Sequence, residues 1–353
     1  MATTHLTGTG LLRACLFAAT ITITIGGALE SQGLAATSPS SMRPAPFVGQ
    51  ASPPLPPRWI EIQYTAHNGN SRNAVVLLPH GYAPGNNPPI PLVIAPHGRG
   101  HTGAMDAPRY GNLPSVGNFA VVSPDGEGRR LHRYSWGAPG QIADLARMAD
   151  IVESTLPWVH IDRSRLYAIG GSMGGQETLL LVGEYPHLLA GASAVDGVID
   201  FPLQYRNYPR LPCDAACRAR PGNFGVRMQK RAVREIGGTP RSVPRLYAER
   251  SPLTYATAIA SSCTRLQIWW SRDDKIVMDS AKQSGRLFEG LRLLNPHGPV
   301  DEYVGHWPHT RALRARTDLP RMLAGLGLLP AEFDIERLQA EHQGIAGSGC
   351  TSR

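Results

Sequence analysis

The stretch Arg165-Leu166-Tyr167-Ala168-Ile169-Gly170-Gly171-Ser172-Met173-Gly174-Gly175 restricts the chain to few architectures. An apolar run of strand character ends in Gly-x-Ser-x-Gly, and a helical pattern begins at once. A strand that feeds directly into a helix must turn sharply, and the residue at the turn takes a backbone conformation that bulky neighbours would obstruct. Gly170 and Gly174 let the strand and helix cross closely, and Gly175 eases the first helical turn. The Ser172 hydroxyl is then held above the end of a sheet, with a helix N-terminus beneath it that favours negative charge. Gly-x-Ser-x-Gly arises by chance; between a strand and a helix it becomes specific.

The rest of the chain alternates in the same way. Strands are predicted at residues 60–64, 74–78, 92–95, 119–122, 166–169, 190–195, 266–270 and 302–304. The middle ones are continuous apolar runs, as expected of strands buried on both faces. Helices are predicted at 141–156, 173–184, 252–260, 279–294 and 310–323. The first two strands have no helix between them and read as a hairpin. The remainder imply parallel crossovers and a single α/β domain with a mostly parallel sheet of about eight strands. Residues 198–250, rich in Arg, Pro, Gly and aromatics, interrupt the alternation after the sixth strand. An insertion there rises over the C-terminal strand ends, where open α/β sheets bind ligands. It reads as a lid or pocket wall.

The flanks read differently. Arg13 precedes an apolar run from Cys15 to about Leu29, and Leu34-Ala35-Ala36 offers small residues for cleavage. This predicts an export signal over residues 1–36, too short in its apolar part to span a bilayer and leaving no stable membrane insertion once removed. Residues 37–58, with Pro53-Pro54-Leu55-Pro56-Pro57, read as an extended linker. The catalytic domain is placed at 59–330, and 331–353 as a C-terminal tail. Four cysteines would follow the signal: Cys213, Cys217, Cys263 and Cys350. An even number in an exported chain suggests disulfides, with Cys213–Cys217 and Cys263–Cys350 the preferred pairing of the three possible. No His stands near Cys213 and Cys217 at zinc-ligand spacing.

The formal net charge is +8, and only three of the 35 basic residues are lysines: Lys230, Lys275 and Lys282. The arginines are scattered, with no run longer than two, which speaks against a nucleic-acid surface. The Gly-rich segments fit neither a phosphate-binding loop with its Lys nor a dinucleotide fingerprint, so no cofactor and no metal is expected.

Between residues 59 and 327 the chain resembles the α/β-hydrolases. Within them it resembles the single-domain secreted esterases, of the feruloyl-esterase and polyhydroxybutyrate-depolymerase type, and the catalytic domains of prolyl-oligopeptidase-type peptidases. The resemblance implies the chain order nucleophile, acid, histidine. Ser172 is the implied nucleophile, activated by a neighbouring base. In Val304-Gly305-His306-Trp307-Pro308-His309 the Gly-His dipeptide leaving the last strand selects His306, with His309 as the alternative. His297 lies before that strand, on the wrong side. In Ser271-Arg272-Asp273-Asp274-Lys275-Ile276-Val277 the acid three residues before Val is Asp274; Asp273 reads as a solvated partner of Arg272. Asp196, ending the sixth strand, is a further candidate acid. The oxyanion hole is expected from the backbone N–H groups of Met173 and of Arg99, in Pro96-His97-Gly98-Arg99. His97 reads as a buttress of that loop, with a pocket position also assigned to it. Trp136, Tyr205, Tyr208 and the Pro124–Gly128 segment are the other pocket candidates.

The resemblance implies hydrolysis of a small-molecule ester, polyester or peptide outside the cytoplasm, by way of an acyl-enzyme. Ester hydrolysis is preferred. Ser251-Pro252 before the seventh strand resembles the peptidases, while residues 37–58 leave no room for a β-propeller. A catalytically silent binding module is the third reading, and the filled motif positions argue against it.

Overall fold

Apolar residues in the central strands fall on both faces of one sheet, and each face has its own core. In the computed structural model Val76, Leu78, Leu92, Ile94, Ala120, Val122, Leu166 and Ala168 join one cluster. Their strand neighbours Val75, Leu77, Val93, Val121, Tyr167 and Ile169 join the other. Alternation along a strand sends successive side chains to opposite faces, so continuous apolar runs are what a sheet covered on both sides requires. Residues 55–213, 215–218 and 223–330 are described, together with the backbone of 340–344. All belong to one compact unit, Ser52–Arg353. The predicted signal and most of the linker lie outside the described residues.

The strands are β1 (Arg58–Thr65), β2 (Ser71–Leu78), β3 (Ile90–Ile94), β4 (Ala120–Pro124), β5 (Ile161–Gly171), β6 (Gly191–Val195), β7 (Arg265–Ser271), β8 (Val300–Gly305) and β9 (Ala340–Gly344). They form a nine-stranded sheet in the order β1-β2-β4-β3-β5-β6-β7-β8-β9. β1 and β2 are an antiparallel hairpin, β2 meets β4 antiparallel, and β4 through β8 run parallel with β3 among them. All eight predicted strands are present. The ninth pairs antiparallel with β8 inside the segment predicted as a tail.

The helices depart further from expectation. Met173–Glu184 is as predicted. The segment 141–156 divides into Pro139–Ala146 and Met148–Thr155, because Arg147 adopts ψ near 1° between them. The predicted helix at 310–323 begins only at Leu319, with Pro320 in its first turn. Thr310 sits at φ +58° and residues 311–317 form isolated turns, because the start of this segment is held by the site.

The insertion is helical, not irregular. Phe201–Asn207, Phe224–Ile236 and Pro244–Ala248 are helices within it. Phe224–Ile236 is capped by the Asn223 side chain, which accepts from the Val226 N–H at 2.8 Å, and ends at Gly237 in the left-handed region. Phe201, Tyr208, Leu211, Met228, Ala232, Ile236 and Tyr247 make a third core together with Trp136, Met173 and Val277. The insertion is therefore packed onto the strand ends. Its anchor is Glu235, whose fully buried carboxylate accepts the backbone N–H groups of Arg129, Arg130 and Leu131, the last two at 2.8 Å. A Cβ on Gly128 would stand 2.6 Å from that carboxylate, so only glycine lets the loop approach. Cys213 and Cys217 form the expected disulfide, with Cα atoms 5.3 Å apart. The expected Cys263–Cys350 bridge lies outside the described residues. No helix among the described residues is long and apolar enough to cross a membrane.

Removing the Glu235 carboxylate leaves three partly buried N–H donors without a partner. Glu235→Ala is therefore expected to lose on the order of 3 kcal/mol or more in urea unfolding, and Glu235→Gln to lose less. A Glu235→Ala midpoint equal to wild type refutes the anchor.

Candidate active site

Ser172 stands at the turn from β5 into the helix Met173–Glu184 with φ +59° and ψ −121°. This conformation is strained for a residue with a Cβ, by about 1–3 kcal/mol, and the surroundings hold it. The Ser172 N–H donates to Val195 O at 2.8 Å. A Cβ on Gly170 would lie 2.3 Å from Gly174 O, and one on Gly174 would lie 2.2 Å from Pro96 O. Both glycines are thus required by backbone contact. Gly175 has a similar need, since its Cβ would come within 2.9 Å of Val195 O.

The loop after β3 lies against this turn. His97 is buried; its Nδ1 is 2.7 Å from Gly98 O, and its Nε2 accepts the Gly126 N–H at 2.7 Å. That pattern fixes the neutral tautomer with the proton on Nδ1, and burial lowers its pKa. The Gly98 N–H donates to Asp106 Oδ2 at 2.8 Å, while Asp106 Oδ1 meets His101 and Arg109 at 2.7 and 2.9 Å. Burial pushes the Asp106 pKa up, but the His101 hydrogen bond, the Arg109 charge and the Gly98 N–H outweigh it and leave it lowered. The next N–H, that of Arg99, donates to no protein acceptor among the described residues. The Met173 N–H is in the first turn of its helix and has no partner within it. Two N–H groups beside Ser172 are thereby left for a ligand.

The loop after β7 brings Asp274 to His309. Asp274 Oδ1 accepts the N–H groups of Ile276 and Val277 at 2.7 and 3.0 Å, and Oδ2 is 2.7 Å from His309 Nδ1. The carboxylate is fully buried and His309 is partly buried. With Nδ1–H donated to the carboxylate, Nε2 of His309 is the nitrogen left to take a proton. The adjoining Thr310 side chain lies where a Cβ on Gly171 would meet it at 3.1 Å, so the histidine loop is packed on the Ser172 turn.

His306 is elsewhere. Its side chain is 67% exposed and its Nδ1 lies 3.2 Å from Asp273, itself largely exposed. The structure therefore does not bring His306 to Asp274; His309 takes that place. Trp307, between them, is the reason. Its N–H donates to Ser271 Oγ at 2.8 Å, its carbonyl accepts from the same hydroxyl at 2.6 Å, and its indole is buried. Burying Trp307 turns His306 out to solvent and returns the chain toward Asp274. The burial of Trp307 distinguishes the two histidines, and it is set by contacts distant in sequence. His297 is exposed, before β8.

Asp196 does not bond to the histidine. Its Oδ1 accepts the Ser271 N–H at 3.0 Å, and its Oδ2 accepts Trp307 Nε1 at 3.0 Å and the Thr310 N–H at 2.7 Å. It ties the acid loop and the histidine loop to the end of β6. Asp196, Asp274 and His309 offer atoms within 4.8 Å of one another, the one such set among the described residues that would suit a metal ion. Every carboxylate oxygen in it already has a protein N–H or imidazole partner.

Ser172 lines a narrow pocket of about 310 Å³, counting the part open to solvent, together with Arg99, Trp136, Met173, Tyr208, Phe224 and Val277. A second, wider cleft of about 1110 Å³ is lined by Asp273, Lys275, Ile276, Pro308 and His309. Tyr205 is not in the pocket lining; its ring sits edge-on to Tyr247 at 5.7 Å. His97 does not line it either, being enclosed behind the Gly98 loop. The Pro124–Gly128 segment also supports and does not line: Asp125 accepts from the Gly103 N–H, Gly126 donates to His97, and Glu127 pairs with Arg72.

This strand order, turn and loop placement define the α/β-hydrolase fold. Comparison with models of known protein families finds no match. Solved structures similar to the chain include S-formylglutathione hydrolase of Staphylococcus aureus, at 17% identity and a TM-score of 0.53, covering 76% of this chain and 98% of that one. They include the acylaminoacyl peptidase of Pyrococcus horikoshii, at 15% identity and a TM-score of 0.57, covering 82% of this chain and 43% of that one. A puromycin-hydrolyzing peptidase of Mycobacterium tuberculosis is similar at 20% identity and a TM-score of 0.55, covering 77% and 39%. In sequence, the chain is 31% identical over 114 residues to poly(3-hydroxyalkanoate) depolymerase C of Paucimonas lemoignei, a stretch that spans 30% of this chain and 28% of that protein.

Burial and the neighbouring Asp274 charge push the Asp196 pKa up to about 6. The folded state then keeps a proton that the unfolded chain has released, so this contribution is complete below the ordinary carboxylate value near 4 and is lost as pH rises through about 6. In urea unfolding, the stability of Asp196→Asn relative to wild type is expected to shift in the variant's favour between pH 4 and pH 7, by on the order of 1–3 kcal/mol. A pH-independent difference contradicts this.

Proposed function

We propose that the chain is an exported serine hydrolase that cleaves carboxylic esters through an acyl-enzyme. The observation that carries the reading is the Asp274–His309 hydrogen bond of 2.7 Å, in a loop whose next residue, Thr310, packs against Gly171 beside the strained Ser172 turn. In this reading Ser172 Oγ attacks the carbonyl carbon while His309 Nε2 takes its proton. Asp274 holds the imidazole and stabilises its cation. The Arg99 and Met173 N–H groups receive the oxyanion, each typically worth about 3 kcal/mol in the transition state. His309 then protonates the leaving alcohol, the alcohol departs, and a water activated by the same histidine releases the acid and restores Ser172. Export rests on the apolar segment after Arg13 and is supported by the Cys213–Cys217 disulfide.

Ester hydrolysis is supported by the stretch of sequence shared with a polyester depolymerase. The second reading is a peptidase, favoured by the likeness in fold to acylaminoacyl and puromycin-hydrolyzing peptidases. The Ser251-Pro252 resemblance gives it less support, because Ser251 Oγ has a packing duty: it accepts the Phe201 N–H at 3.0 Å and donates to Tyr247 O at 2.8 Å.

With 4-nitrophenyl butyrate, His309→Ala and Ser172→Ala are each expected to lose at least 10³-fold in kcat, and His306→Ala less than about threefold. A fluorophosphonate probe is expected to label wild type and not Ser172→Ala. Loss of activity in His306→Ala with retention in His309→Ala reverses the base assignment. Turnover of Xaa-Pro-4-nitroanilides and of no ester selects the peptidase reading.

A further inference from the structure

Buried arginines in this molecule are met by carboxylates. Arg72 pairs with Glu127 and Asp144 at 3.0 and 3.1 Å, and Arg250 faces Glu235 at 3.9 Å. Arg99, only partly buried, differs from them. Its side chain lines the pocket that holds Ser172, and its guanidinium carbon lies 5.2 Å from the Phe224 ring centre. No carboxylate among the described residues pairs with it; the charged or ionisable groups around it are Tyr208, Tyr134 and a second cation, Arg231. Arg231 in turn lies over the Tyr134 ring at 5.0 Å. Burial weakens the guanidinium's hold on its proton, the direction expected of a cation without a counter-charge. A partly desolvated cation without a counter-charge is costly, and the side chain that carries this one lines the pocket.

The other walls of the pocket are apolar: Trp136, Val198, Leu211, Phe224, Met228 and Val277. Only Gln204 and Tyr208 add neutral polar groups from the insertion. A ligand complementary to this lining has an apolar body and one anionic end. Planar, bidentate recognition by guanidinium suits a carboxylate.

The two spaces at the site divide the substrate. His309 must protonate the leaving group, so the leaving group lies on the histidine's side. His309 lines the wide cleft and not the narrow pocket. The narrow pocket, with Arg99, is left for the acyl group.

We propose that the Arg99 side chain is a specificity residue that selects acyl groups ending in a carboxylate, so that the preferred substrates are monoesters of dicarboxylic acids. This rests on the ester-hydrolase reading of the same site. The backbone N–H of Arg99 serves the oxyanion and its side chain serves the far end of the acyl chain. One residue thereby fixes both the reacting carbonyl and the substrate's charge.

The test compares kcat/KM for mono-4-nitrophenyl adipate with that for 4-nitrophenyl hexanoate, after subtraction of spontaneous hydrolysis. Wild type is expected to favour the adipate monoester at least tenfold. Arg99→Gln is expected to lower that ratio to one or below, and Arg99→Lys to hold an intermediate value. A wild-type preference for hexanoate, or a ratio unchanged in Arg99→Gln, overturns the inference and leaves the hydrolase reading intact. Binding of monomethyl adipate to Ser172→Ala protein, read from tryptophan fluorescence, separates the two claims. It is expected to weaken at least tenfold when Arg99→Gln is added. If wild type turns over neither ester while Ser172→Ala still binds monomethyl adipate in an Arg99-dependent way, the hydrolase reading fails and the anion site stands. If Ser172→Ala does not bind monomethyl adipate, the anion site fails.

Discussion

Three N–H groups converge on the buried carboxylate of Asp196, and the geometry of the site follows from them. One belongs to the end of β7, one to the Trp307 indole and one to Thr310. Neither the acid loop nor the histidine loop has regular structure of its own, so each would sample many conformations if left to local preference. A shared acceptor at the end of β6 gives both loops one reference point. Asp196 is itself at φ +48°, so the turn that follows β6 is strained in order to present it. Three hydrogen bonds to the carboxylate offset part of the cost in strain and desolvation, the remainder showing in its raised pKa. The result is that Asp274 and His309, 35 residues apart in sequence, meet within hydrogen-bond distance.

The insertion depends on a second buried acid in the same way. Glu235 takes the N–H groups of residues 129–131 and Arg250 reaches back to Ser135 O at 2.6 Å, so the C-terminal part of the segment is tied twice to the loop that carries Trp136. Gln176, on the first turns of the helix after Ser172, closes the circuit by donating to Arg250 O at 2.6 Å. The pocket wall and the serine turn are thus one connected network.

Much of this was readable from the residues. Strand runs such as 92–95 and 166–169 are apolar throughout because both faces are covered, and they announce themselves without ambiguity. The glycines around Ser172 are explained by backbone atoms within 2.3 Å of where a Cβ would stand, a constraint with few alternative solutions. The choice of Asp274 over its neighbour was also legible, since its backbone donors are Ile276 and Val277 next in the chain. The histidine was not. His306 and His309 are distinguished only by the burial of Trp307 and the acceptance of Thr310 N–H by Asp196, both long-range facts. The same tertiary bond delays the helix expected from residue 310. The helices of the insertion were hidden because their apolar residues face a site and not the main core, and β9 exists through pairing with β8 in place of any strong pattern of its own.

The pocket has a modular origin. Half of its lining, Val198, Gln204, Tyr208, Leu211, Phe224 and Met228, comes from one continuous segment between β6 and β7. The reacting groups come from the turn after β5 and the loops after β3, β7 and β8. Under the proposed hydrolase reading, substrate shape and bond cleavage are therefore encoded in separable tracts of the chain. Recombination that exchanges only the tract between β6 and β7 would redraw what the pocket accepts while the Ser172 turn, the Asp274–His309 pair and the Asp196 tether are inherited whole. Arg99 crosses that division, as Met173 and Val277 do, because it belongs to the loop after β3 and yet lines the pocket; under the proposed selection by Arg99, the charge of the acyl group is the preference most resistant to such swaps.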